Sequence, residues 1–207
     1  MINETFDAET TDGVRISGVM HRAVTPDGSS AGCVVVAHPH PLHGGDMWNP
    51  VVDTVCRAAL GVGWTAVRFD FRGVGDSGGR HDGGPGEVRD IEAVIDRAVA
   101  LVPTARLVLA GYSFGAITAL GVPHERIERW LAIAPPLGDE NPAAAADPRP
   151  KHLLVPAHDQ FCPPDRAERA SSWTATEIDV VPSADHFLNG RLSWITTAVE
   201  RILSISP

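Results

Sequence analysis

Ser113, Asp159 and His186 stand in the order and context that nucleophilic catalysis needs. Ser113 lies in Gly111-Tyr112-Ser113-Phe114-Gly115, a G-x-S-x-G pattern between an apolar β-type run at 107–110 and an apolar run suited to a helix. A strand-to-helix turn this tight strains the serine backbone and leaves its Oγ exposed. Glycine suits both flanking positions, because a Cβ there would crowd the neighbouring strand or helix. A serine hydroxyl attacks well only when a histidine takes its proton and a carboxylate fixes the imidazole tautomer. With the serine after a central strand of a parallel sheet, those partners follow in the order acid, then histidine.

Of the downstream histidines, His124 lies too close behind the nucleophile helix, and His152 opens a strand at its wrong end. His186 follows a strand at 178–181 and a short loop, Pro182-Ser183-Ala184-Asp185, where a base belongs. Asp159 follows the run 153–157 and is the expected acid; Asp139 is the runner-up, and Asp185 is expected to cap the final helical region.

A tetrahedral oxyanion needs two backbone N–H donors. One is expected from Phe114. The other should come from the loop His38-Pro39-His40-Pro41-Leu42-His43-Gly44-Gly45. Pro39 and Pro41 have no N–H, which leaves His40 as first choice and Leu42 as second. Met47, Trp48, Leu137, Phe161 and Phe187 are candidates for an apolar wall of the substrate pocket. His38, His40 and His43 also spell H-x-H-x-x-H. A proline-stiffened loop without a nearby carboxylate or cysteine is a poor metal site, so no metal or other cofactor is expected. His38 and His43 are instead expected to bond neighbouring loops and shape the site.

Gly73-Val74-Gly75-Asp76-Ser77-Gly78 matches G-x-G-x-x-G literally. A dinucleotide fingerprint must open directly into a helix whose N-terminus faces pyrophosphate. Here the chain runs on to Gly86 before helical spacing begins, so a mobile loop near the site is expected, with Asp70 and Arg72 in internal ion pairs.

The elements that must hold these residues are legible in order. Strands are expected at 4–9 and 14–21 around Thr11-Asp12-Gly13, then a loop at 25–30 and a buried strand at 33–37. A helix at 50–60, a strand at 64–69 and an amphipathic helix at 88–102 follow. Strand 106–110 and helix 114–121 carry the serine. Beyond them come strand 130–134, a surface loop at 139–150, a strand from 152, a short helix at 166–171, strand 178–181 and a helix at 192–203. Two antiparallel-capable strands followed by β–loop–α units describe a single α/β domain, 1–207, with a mostly parallel sheet flanked by helices. Ligands of such sheets bind beyond the carboxyl ends of the strands.

The 207 residues and 43% hydrophobic content support one sizeable core. A net charge of −9, with no long basic cluster, argues against nucleic acid as a partner. Cys33, Cys56 and Cys162 are widely spaced and read as buried free thiols of a reducing cytoplasm. The polar, acidic N-terminus is not expected to act as a signal sequence, and no run approaches the ~20 apolar residues of a membrane span.

HPHPLHGG at 38–45, FDFRGVGDSGG at 69–79, GYSFG at 111–115 and ADHFL at 184–188 resemble the motifs of a small, lidless bacterial group of α/β-hydrolases, distantly similar to dienelactone hydrolases. The resemblance spans nearly the whole chain. It implies Ser113, Asp159 and His186 as triad, in agreement with the residue chemistry. One departure is AHDQFCPP around Asp159, which lacks the glycine common before the acid. The stretch 135–150, where many members insert a lid, is too short for a helical one. An open site is therefore expected, covered only by loops or by the second subunit of a homodimer. The leading expectation is hydrolysis of a small carboxylic ester or similar acyl compound. Peptide hydrolysis or acyl transfer by the same triad, and a non-catalytic binding protein on the same fold, are the alternatives.

Overall fold

Short apolar runs separated by polar or glycine-rich loops become alternating strands and helices. The computed structural model describes residues 2–23, 30–102 and 106–205. Its elements are β1 (Ile2–Glu9), β2 (Arg15–Arg22), β3 (Cys33–Ala37), α1 (Pro50–Gly61), β4 (Thr65–Phe69), α2 (Pro85–Leu101), β5 (Leu107–Tyr112), α3 (Phe114–Leu120), β6 (Arg129–Ile133), β7 (Lys151–His158), α4 (Pro164–Ala167), β8 (Thr176–Asp185) and α5 (Leu192–Ser204). Of the expected loop at 25–30, residues 25–29 lie outside the described residues.

The strands form one eight-stranded sheet in the order β1-β2-β4-β3-β5-β6-β7-β8. β1 and β2 are antiparallel and join the sheet against β4; every pair from β4 onward is parallel. Gly13, at φ 77°, makes the β1–β2 turn that Asp12-Gly13 announces.

β3 and β5 explain why the sheet is covered on both sides. Cys33, Val35 and Ala37 of β3, with Leu107 and Leu109 of β5, face the layer containing α2 and α3. Val34, Val36, Val108, Ala110 and Tyr112 face the layer containing α1 and α5. Side chains alternate across a strand, so a continuous apolar run is what two cores require. No helix among the described residues is long and apolar enough to cross a membrane. Only 134–150 separates β6 from β7, and no sizeable lid is present there.

Several elements differ from their sequence expectation. α2 starts at Pro85 rather than 88, because its first turn is set by capping: Pro85 sits at the first helical position, and Glu87 reaches back to accept the Gly84 N–H at 2.7 Å. The loop at 139–150 is not wholly superficial. Ala143–Ala146 forms a 3-10 turn that buries Ala144 and Ala145 in the core.

The glycine-rich loop after β4 is pinned. Gly73 N–H bonds the Gly78 carbonyl at 2.9 Å, and Gly78 N–H bonds Arg15 on β2 at 2.7 Å. Arg72 is in internal ion pairs, with Asp90 at 2.8 Å and Asp12 at 3.0 Å. Asp70 is not: its carboxylate accepts the Met47 N–H at 2.8 Å, and among the described residues it makes no ion pair.

Candidate active site

The serine turn follows from β5 meeting α3 with no loop between them. Ser113 adopts φ 53°, ψ −119°, a conformation that non-glycine residues rarely enter. Its N–H is tied to the Ile133 carbonyl of β6 at 2.9 Å. The two flanking glycines are needed for packing. A Cβ on Gly111 would overlap the Gly115 carbonyl, and one on Gly115 would overlap the carbonyls of Ala37 and His38.

Ser113 Oγ lies 2.8 Å from His186 Nε2, and His186 Nδ1 lies 2.8 Å from Asp159 Oδ2. A carboxylate can only accept, so Nδ1 carries the proton and Nε2 is left as the acceptor for the serine hydroxyl. Asp159 follows the end of β7, as expected. Its second oxygen accepts the N–H groups of Phe161 at 2.8 Å and Cys162 at 3.1 Å, which fixes the carboxylate without a cation.

His186 comes into place by a route the sequence did not announce. The stretch 182–185, expected as a loop, continues β8. Between Pro156 and His158 the β7–β8 register shifts, the extra β8 residues bulge out, and Ser183 takes φ 53°. Asp185 then pairs opposite His158, which sets His186 beside Asp159. Asp185 does not cap the last helix; it accepts the Phe187 N–H at 3.1 Å in the turn after β8.

Tyr112, the residue inside the serine motif that chemistry did not single out, braces His186. Its ring stacks on His186 with centroids 5.8 Å apart, and its hydroxyl donates to the His186 carbonyl at 3.0 Å. Burial, then the nearby Asp159 and Asp185, push the phenol up to about 12, so it stays a neutral donor. Phe161 packs edge-on against the same imidazole at 4.6 Å.

The runner-up acid and the other histidines lie elsewhere. Asp139 is 94% exposed and faces Arg169. His124 bonds Asp96. His152 is buried on β7, with Nδ1 3.2 Å from the Glu177 carboxylate.

Pro41–His43 forms a 3-10 turn in the loop after β3. Leu42, the second-choice donor, has its N–H occupied by His40 Nδ1 at 3.2 Å and its side chain 72% exposed. The His40 and Phe114 N–H groups make no hydrogen bond among the described residues. Their rings pack together, with centroids 5.0 Å apart. Burial, then His81 and His43, lower the His40 basicity. His81 is held in turn by the buried Glu87 carboxylate at 2.7 Å. No group of three histidine, cysteine or acidic residues suited to a metal ion occurs among the described residues.

A cavity of about 560 Å³ opens over Ser113. Its walls include Pro39, His40, Phe114, Pro136, Phe161 and Phe187, and it carries no acidic or arginine side chain. Of the five expected wall residues, Phe161 and Phe187 are there. Met47 is buried away from the cavity, Trp48 stacks under Arg68 at 4.0 Å, and Leu137 packs into the core. Apolar type alone could not separate these, because core and pocket draw on the same side chains.

Residues 34–200 match the model of the alpha/beta hydrolase family. The uncharacterized protein RP471 of Rickettsia prowazekii (strain Madrid E) is 32% identical over 203 residues, covering 91% of this chain and 84% of that protein. An alpha-beta serine hydrolase homologue from Coxiella burnetii superposes with a TM-score of 0.88 at 31% identity, covering 99% of both chains. XC6422 from Xanthomonas campestris, described as a serine hydrolase without lid, superposes with a TM-score of 0.83 at 27% identity, covering 99% of this chain and 97% of that one.

Proposed function

The chain belongs to the alpha/beta hydrolase family, and from that premise we propose that it is a serine hydrolase cleaving small carboxylic esters through an acyl-enzyme. One observation carries the reading: the unbroken chain of hydrogen bonds from Ser113 Oγ through His186 to Asp159.

In the proposed reaction, Ser113 Oγ attacks the acyl carbonyl while His186 Nε2 takes its proton. The negative charge on the former carbonyl oxygen is met by the Phe114 and His40 N–H groups. The imidazolium, stabilised by Asp159, returns its proton to the departing alkoxide, and the alcohol leaves. Water then enters, gives its proton to His186 and attacks the acyl-serine; collapse restores Ser113 and releases the acid. No metal or cofactor is needed in any step. A cavity of about 560 Å³ without a lid, walled by aromatic rings and free of acidic or arginine side chains, suits a short or compact neutral acyl group. The three buried free cysteines fit a protein of the reducing cytoplasm.

A fluorophosphonate probe followed by peptide mass mapping tests the nucleophile. Labelling at Ser113 is expected, and no adduct under conditions that label a control serine hydrolase would remove the reading in favour of a binding protein. A series of p-nitrophenyl esters then tests the substrate class. Turnover should fall as the acyl chain lengthens; faster hydrolysis of long chains than of acetate would overturn the assignment to small substrates.

A further inference from the structure

We propose that His38 is a positioning residue for the oxyanion site: its imidazole clamps the peptide group whose N–H belongs to His40. The inference rests on the serine-hydrolase reading above and extends it to a residue outside the triad.

His38 follows β3, is fully buried, and does not line the substrate cavity. Both its nitrogens are in use. The Phe71 N–H lies 3.0 Å from Nε2, and Pro39 O lies 2.6 Å from Nδ1. A backbone N–H can only donate, so Nε2 must be the bare nitrogen. Nδ1 then carries the hydrogen and donates it to the Pro39 carbonyl. Burial pushes the imidazole down to about 4, which keeps it in this neutral tautomer near neutral pH.

The Pro39 carbonyl and the His40 N–H are the two ends of one peptide plane, and the described chain contains no cis bonds. Fixing the oxygen therefore fixes the direction of the N–H on the far side of the same plane. Three further features hold that plane. A Cβ on Gly45 would overlap the Pro39 carbonyl, so the oxygen is packed beneath a glycine. The His40 carbonyl accepts N–H groups from His43 at 3.0 Å and Gly45 at 3.1 Å, which anchors the next peptide. The proline ring fixes the backbone on the near side. A donor at the carbonyl also polarises the amide and strengthens its N–H as a donor.

Two substitutions separate clamping from mere packing. In His38→Asn the side-chain amide reaches the position of Nδ1 and can still donate to Pro39, while the Phe71 bond is lost. In His38→Gln the amide oxygen reaches the position of Nε2 and can still accept from Phe71, while the Pro39 bond is lost. The readouts are kcat and KM for a p-nitrophenyl ester, affinity for a trifluoromethyl ketone whose hemiketal oxygen occupies the oxyanion site, and Tm. His38→Gln should lose about 10- to 100-fold in kcat and a similar factor in ketone affinity, with KM within about threefold. His38→Asn should retain both within about fivefold, whichever variant melts lower. Equal losses in the two variants, or wild-type ketone affinity in His38→Gln, would overturn the inference while leaving the hydrolase reading intact. Failure of the unsubstituted protein to bind the ketone would remove both. Should neither variant fold, 15N NMR of the unsubstituted protein decides. A protonated Nδ1 on His38 is expected, and an Nε2–H tautomer would overturn the clamp.

Discussion

Gly115 approaches β3 so closely that a Cβ on it would overlap the backbone carbonyl of Ala37. This contact joins the first turn of α3 to the end of β3, and so places Ser113 and Phe114 beside the loop that carries His40. The obstruction is backbone, which cannot swing aside as a flexible side chain would. Gly115→Ala should therefore destabilise by about 3 kcal/mol or more, or fail to give soluble protein. Gly138→Ala meets nothing within 4 Å and should be neutral within about 0.5 kcal/mol. Urea titration of both variants checks this; a Gly115→Ala midpoint equal to wild type would contradict the packing argument.

Acid should weaken the fold before the ion pairs titrate. His38 is pushed by burial from 6.5 down to about 4. The unfolded chain binds a proton at this residue more readily than the folded one. Its contribution is thus complete above pH 6.5 and is lost as the pH falls toward 4, by about 3 kcal/mol in all. His21 and His152 are lowered chiefly by burial as well, and add to the same slope. Unfolding free energy by urea should fall steadily between pH 7 and pH 4.5, and His38→Asn should fall less steeply. A flat wild-type profile would show that these imidazoles are not buried in the neutral form.

The thiols should be silent. Burial pushes Cys33 and Cys56 up to about 12, and Cys162, tucked into the turn that holds Asp159, is raised by burial too. Only the thiolate reacts readily. Ellman's reagent at pH 8 should find no thiol in the folded protein over minutes and three after denaturation. Rapid release of even one thiol from native protein would place it at the surface.

How far the site could be read in advance depended on what each residue's role required. The serine turn was legible because its geometry demands glycine at two fixed places, and the sequence supplies them. The parallel strands were legible because burial on both faces leaves uninterrupted apolar runs. Asp159 could be placed because β7 delivers it at its carboxyl end. The β8 bulge was not legible: Pro182-Ser183-Ala184 carries loop-like residues, and only pairing with β7 makes it strand. The early start of α2 was hidden for a related reason. Its first turn is held by Pro85 and Glu87 rather than by apolar spacing. Pocket walls were the least legible, since an exposed Trp48, a buried Leu137 and a cavity-lining Phe161 are indistinguishable by type.

Asp159 offers the sharpest mutational contrast. Asp159 accepts three hydrogen bonds, one from the His186 ring and two from the backbone of its own turn. In Asp159→Asn the side-chain oxygen can go on accepting the Phe161 and Cys162 N–H groups, so the turn should survive. The amide nitrogen then faces His186 and, being a donor, requires Nδ1 to accept. The imidazole must shift its hydrogen to Nε2, which meets the Ser113 hydroxyl as a donor and can no longer take its proton. On that reasoning kcat should fall by about 10⁴-fold, with KM little changed and stability within about 2 kcal/mol of wild type. Asp139→Asn removes only an exposed charge opposite Arg169 and should stay within about twofold in kcat. Ester hydrolysis by the two variants, with their Tm values measured alongside, decides between them. Activity within a few-fold of wild type in Asp159→Asn would mean that the imidazole is oriented by something other than this carboxylate.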